Sequence, residues 1–118
     1  MNNLYSNVHE ELLRLLEHRI DVYNRHYGFD FNDIKIKRMK SRWGSCSTKK
    51  NLNFNYRLIE LPERLIDYVI VHELCHLKEF NHSKKFWNLV ALMMPDWKSL
   101  RKELRTITRL RHFHISNS

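Results

Sequence analysis

The stretch HELCH, residues 72–76, lies inside IDYVIVHELCHLKEFNHSKKFW, residues 66–87. Its neighbours decide how it is read. Ile66, Ile70, Leu74 and Leu77 recur at helical spacing, with Leu65 and Val69 beside them. The segment is therefore expected to be a helix, apolar over a wide arc, that runs through the core. Pro62 opens it, since the donor that proline lacks would be unpaired in a first turn anyway. Along such a helix, four residues advance about 6 Å and return to nearly the same face. His72 and His76 thus aim at one point, and Glu73 stands one step round. Two converging imidazole lone pairs suit a metal ion, and the neighbouring carboxylate can reach a water beside it. That is the physical content of H-E-x-x-H. Without such a task, three ionisable groups in an apolar helix would be costly to bury.

A catalytic zinc usually takes three protein ligands and keeps a fourth position open. His82 follows His76 by six residues, and a continuing helix would turn it away. The chain is expected to leave the helix at about Phe80–Asn81 and double back, with Asn81 tolerating a left-handed conformation. Glu79 is the rival third ligand. Three neutral imidazoles would leave the ion its full charge and ionise a bound water towards about pH 7, with Glu73 as general base. Zinc is the default metal, and imidazole also suits nickel, cobalt and iron.

Outward from this motif, the chain has 118 residues, enough for one domain, residues 1–118, with one modest core. A hydrophobic content of 42% argues against a disordered chain. No apolar run is long enough to cross a membrane. The start, MNNLYSNVHEELL, lacks the features of a secretory signal, so the expectation is a soluble, cytoplasmic protein. Cys46 and Cys75 do not make a disulfide framework. A long first helix is expected from Ser6 or Asn7 to Tyr27, stopped by Gly28. In DIKIKRMK (33–40), Ile34 and Ile36 alternate with charged residues. LNFNY (52–56) repeats the pattern with Leu52, Phe54 and Tyr56, and the polar SRWGSCSTKKN (41–51) lies between. These features predict a small antiparallel sheet across 33–56, connected near 48–51. Two helices follow at about 84–94 and 97–111, capped by Ser83 and Asp96 and separated by Pro95. The fold class is α+β.

SRWGSCS, LNFNYRLIELP, IDYVIVHELCHLKEFNHSKKFW and MMPDW together resemble the YgjP-like family of zincin-type metal-dependent hydrolases, relatives of the SprT-like proteins. The likeness spans roughly residues 8–110. It implies a zincin-like domain, metallopeptidase activity, His72, His76 and His82 as ligands, and Glu73 as catalytic acid/base. Longer members of that family carry a further β-rich N-terminal half, so this chain corresponds to their C-terminal catalytic part. The ligand spacing also equals that of metzincin proteases. However, Glu79 stands where those have glycine, and Met93 and Met94 read as helix core rather than as a methionine turn.

Arg42, Trp43, Gly44, Ser45 and Cys46 could line a cleft, with Arg42 gripping an anion in bidentate fashion. Asn55 and Arg57 could orient a substrate or support the site. Phe86 and Trp87 are expected to pack against the metal helix. The formal charge of +8, with basic clusters at 35–50 and 98–111, favours anionic partners. The family resemblance implies a peptide or a nucleoside triphosphate as substrate, and the basic surface suits the triphosphate somewhat better. A different class of protein, a nucleic-acid-binding module stapled by the metal, would use the basic surface and the rings of Trp43, Tyr56 and Trp97. His112 and His114 belong to a basic, frayed tail.

Overall fold

The computed structural model describes residues 4–111, so the tail histidines His112 and His114 lie outside the described residues. The elements in order are α1 (Leu4–Tyr27), β1 (Asp33–Lys37), β2 (Gly44–Cys46), β3 (Asn51–Asn55), a 3-10 turn (Tyr56–Glu60), α2 (Glu63–His76), α3 (Lys84–Met93) and α4 (Trp97–Leu110). This is the α+β arrangement expected, with α2 at its centre.

The first helix places Leu12, Leu16 and Ile20 on its buried face. It ends where Gly28 adopts φ 69° and returns its N–H to the Asn24 carbonyl at 2.7 Å. It is tied to α2 by Arg19, in its C-terminal half, which reaches Asp67 and Glu63 at 3.0 Å each. Its C-terminal end is tied to α3 by the Tyr27 hydroxyl, which donates to the Leu89 carbonyl at 2.6 Å. From Leu65 to His76 every residue of α2 is buried. That all-round burial is what a wide apolar arc predicts.

The sheet corrects the expected antiparallel pairing. Its order is β1-β3-β2, with β2 and β3 antiparallel but β1 and β3 parallel. Strand alternation reports which residues face the core, not which strand lies alongside. The intervening residues 38–50 are long enough to carry the chain around a neighbour and make a parallel pairing possible. SRWGSCSTKKN is not all turn either, because Gly44–Cys46 forms β2. The hairpin connection falls where expected. Lys50 takes φ 65° there, and its N–H meets the Ser47 carbonyl at 2.9 Å.

The central strand β3 is paired along both edges and is also covered on both faces. Leu52 and Phe54 are buried, and so are Asn53 and Asn55 on the side that alternation would leave wet. Tyr56 leaves the strand and opens the 3-10 turn. Asn55 is fully buried and ties down residues 39–42. Its amide donates to the carbonyls of Met39 and Arg42, both at 2.8 Å, and its side-chain oxygen accepts from the Arg57 N–H at 3.1 Å. Asn55→Ala strips three partners at once and is expected to lower unfolding free energy by about 2–3 kcal/mol. Equilibrium denaturation measures this, and a loss below about 0.5 kcal/mol would show that the loop is held by something else.

Candidate metal centre

The last turn of α2 presents His72 and His76 on one side. The helix ends at His76, about four residues earlier than expected, with Leu77 as its cap. The N–H groups of Lys78 and Glu79 close the end on the Cys75 carbonyl at 3.1 and 2.9 Å. The predicted left-handed Asn81 is not found: among the described residues only Gly28 and Lys50 have positive φ. The early stop gives the chain enough slack to bring His82 back without a special conformation.

The three Nε2 atoms form a nearly equilateral triangle, with His72–His76 at 3.2 Å, His76–His82 at 3.0 Å and His72–His82 at 3.1 Å. The ring centroids of the same pairs stand at 4.9, 4.7 and 5.0 Å. The nitrogens are therefore closer together than the rings and point inward. Two nitrogens sharing a tetrahedral ion at about 2.0–2.1 Å are about 3.3 Å apart. The observed spacing lies within a few tenths of an ångström of that value, so this donor set fits a transition-metal ion.

The tautomers agree with this fit. The Nδ1 atom of His76 lies 2.9 Å from the Glu79 carbonyl, which makes it the N–H donor and leaves the Nε2 lone pair facing the triangle. Glu79 thus serves the centre through its backbone; its carboxylate, the rival ligand, is not part of the cluster. Burial holds the imidazole of His72 well below its usual pKa, assisted by its two histidine neighbours and Arg101. Burial also lowers His76, and lowers His82 with help from Arg101. Neutral rings keep their lone pairs free. Phe86, fully buried, lies beneath all three. It is stacked on His76 at 4.4 Å and edge-on to His72 and His82 at 5.0 Å. Trp87 stacks on His82 at 5.8 Å. Both aromatic residues pack as the sequence suggests.

Glu73 is buried, and desolvation pushes its carboxyl up to about 8 against the opposing charge of Arg42. It nevertheless borders a cavity of about 260 Å³ that it shares with the three histidines, Arg42 and the β2 residues Gly44–Cys46. Gly44 makes this packing possible. A Cβ there would stand 3.1 Å from the Asn53 carbonyl oxygen, 3.1 Å from Glu73 Cγ and 3.3 Å from Oε2. Gly44→Ala must shift either β2 or the carboxylate. It is expected to cut turnover about tenfold to a hundredfold with the metal retained, as measured by steady-state kinetics alongside metal analysis. Wild-type turnover in this variant would show that the carboxylate has room to spare.

Other expected site residues are redistributed. Arg42 lines the cavity. Trp43 turns the opposite way into the core, where its indole N–H donates to Thr108 Oγ1 at 3.0 Å. Asn55 is a buried tie, not a substrate contact, because the loop it anchors covers it. Arg57 does not line the cavity; it pairs with Glu60 at 3.3 Å. The stacking surfaces of a nucleic-acid module are also spent internally. Trp43 is fully buried, Trp97 stacks on Trp87 at 4.0 Å, and Arg38 covers Tyr56 at 5.6 Å. Two neighbours of the centre were not singled out from the sequence. Tyr68, one turn before His72 on the same face, could have been read from that spacing. Arg101 approaches only through the docking of α4, and its guanidinium lies 5.2 Å over the Trp87 ring.

The family model for the YgjP-like, metallopeptidase domain matches residues 2–107. An uncharacterised protein of Methanocaldococcus jannaschii is 43% identical over 82 residues, 66% of this chain and 74% of that protein. A UTP pyrophosphatase of Escherichia coli is 41% identical over 44 residues, 37% of this chain and 26% of that enzyme. The crystal structure of the metallopeptidase zymogen jannalysin of Methanocaldococcus jannaschii is similar with a TM-score of 0.66. It is 30% identical, and the match covers 80% of this chain and 96% of that one. The metallopeptidase zymogen abylysin of Pyrococcus abyssi shares the fold with a TM-score of 0.72, at 23% identity over 80% and 95% of the two chains.

Proposed function

This chain belongs to the YgjP-like metallopeptidase-domain family and is a metal-dependent hydrolase, and from that premise we propose that it is a zinc peptidase whose ion is held by His72, His76 and His82. The observation that carries the proposal is the triangle of inward-facing Nε2 atoms, 3.0–3.2 Å on a side, sharing one cavity with a buried carboxylate. When bound, zinc supplies Lewis-acid polarisation of the scissile carbonyl and acidifies the attacking water.

The chain's own residues do the rest. Glu73 accepts the proton of the attacking water and hands it to the departing amine. The Glu79 carbonyl fixes the ring of His76, and Phe86 fixes all three rings from below. Arg42 places a positive charge at the cavity wall, where negative charge develops on the substrate. A peptide also fits the shape of the site. β2 is an edge strand, and its residues form one wall of the cavity. An extended substrate can therefore lie along it through main-chain hydrogen bonds.

The second reading, hydrolysis of a nucleoside triphosphate, is favoured by Arg42 and by the short match to the UTP pyrophosphatase. Incubating the zinc-loaded protein with an unstructured polypeptide and, separately, with UTP distinguishes the two. New amino termini are expected from the polypeptide. Pyrophosphate released from UTP with the polypeptide left intact would overturn the peptidase reading.

A further inference from the structure

α4 carries a stripe of positive charge along one face. Lys98, Arg101, Lys102, Arg105 and Arg109 border a single shallow trough, and among the described residues none of them forms an ion pair. The helix has one carboxylate, Glu103, which is committed to Arg64 across to α2. Like charges three and four residues apart weaken a helix. This stripe is thus a standing electrostatic load that a bound anion would relieve.

The stripe leads to the metal centre. Trp97, at its N-terminal end, stacks on Trp87 at 4.0 Å and 15°, and Trp87 in turn stacks on His82. Arg101 belongs to both places. It borders the trough, lies over the Trp87 ring, and has a buried Nε with no hydrogen-bond partner. A substrate seated at the three histidines and continuing past Trp87 would run onto this face.

We propose that the α4 stripe is an extended subsite for acidic side chains of the polypeptide substrate, on one side of the scissile bond, with Arg101 at the junction. The inference rests on the peptidase reading above and adds the class of sequence selected. The spacing suits it. Arg101, Arg105 and Arg109 succeed one another by about 6 Å along the helix. Same-face side chains of an extended peptide recur every second residue, about 6.6–6.8 Å. Glutamates or aspartates at alternate positions therefore meet successive rungs.

The test separates binding from turnover. Zinc-loaded Glu73→Gln protein is titrated against a fluorescein-labelled peptide with glutamate at every second position, and against its glutamine twin, by fluorescence anisotropy. The glutamate peptide is expected to bind at least about tenfold more tightly at low salt, with the advantage shrinking as salt rises. In the Arg105→Glu, Arg109→Glu double variant the ratio should fall to about one. Both side chains are exposed, and the Arg105→Gln, Arg109→Gln pair, expected to fall in between, guards against a folding artefact. Equal binding of the two peptides, or an unchanged ratio in the reversed variant, would overturn the subsite. An oligonucleotide binding about tenfold more tightly than the glutamate peptide would also overturn it, in favour of a nucleic-acid surface. Cleavage of both peptides by the wild type without an acidic preference would remove the subsite and leave the peptidase reading standing. Tight binding of the glutamate peptide with cleavage of neither would remove both.

Discussion

Glu73→Gln is expected to lower hydrolysis by about 10²–10⁴-fold while the protein keeps its metal. The amide has the shape of the carboxylic acid but cannot take a proton from water, and none of the three convergent nitrogens belongs to it. Metal content and turnover measured on one preparation check both halves. Wild-type turnover with bound metal would remove Glu73 from the mechanism. The same variant carries a stability signature in metal-free protein. Burial raises the Glu73 carboxyl from 4.5 to about 8. A group whose folded pKa is raised holds its stabilising contribution below the unfolded value and loses it as pH climbs through the folded one. Relative to metal-free Glu73→Gln, in which the three histidines titrate alike, metal-free wild type should therefore lose stability between about pH 4.5 and pH 8, by up to about 1.4 kcal/mol per unit. Metal-free Glu73→Gln should melt above wild type at pH 8 and level with it at pH 4. Identical curves at both ends would mean that the carboxylate is solvated.

His82→Ala is expected to weaken zinc binding by more than the roughly 10–100-fold that follows loss of a supporting outer partner, and to abolish turnover with it. It is a cleaner probe than His72→Ala or His76→Ala, which also lose the metal. Those two rings are buried and their removal opens the core, whereas His82 is exposed on its loop. The metal-free melting temperature of His82→Ala should stay close to that of metal-free wild type. The rise that zinc gives the wild type should vanish, because stabilisation by a ligand follows its affinity. Competition with a chromophoric chelator measures the affinity. Undiminished binding would mean that two histidines suffice or that another group has taken the third place.

The sequence made the centre more legible than its surroundings, for reasons that individual residues show. His72, Glu73 and His76 are read from helical periodicity alone, because one helix carries all three. His82 needs only the further rule that a third ligand must come from nearby chain. Asn55 could be read either as orienting a substrate or as supporting the site; its burial under the loop that carries Arg42 leaves it the supporting place, which strand alternation cannot report. β1 was given the right neighbour, β3, but the wrong direction, for the same kind of reason. Pairing depends on where thirteen intervening residues travel, and the alternation of Ile34 and Ile36 is the same in either direction. Arg101 is separated from His82 by a whole helix and a turn. Only the packing of α4 against α3, through Trp97 stacked on Trp87, brings it to the metal centre.

The three nitrogen donors differ in how they are mounted, and that sets an order of events. Two ride on a rigid, enclosed helix; the third sits on a solvent-facing loop. An arriving cation should meet the outer imidazole first and be handed inward, and a departing one should leave by the same door. Chelator extraction should accordingly slow whenever that loop is pinned, for instance by an occupied cleft. A filled enzyme would then surrender its metal ion more reluctantly than an idle one.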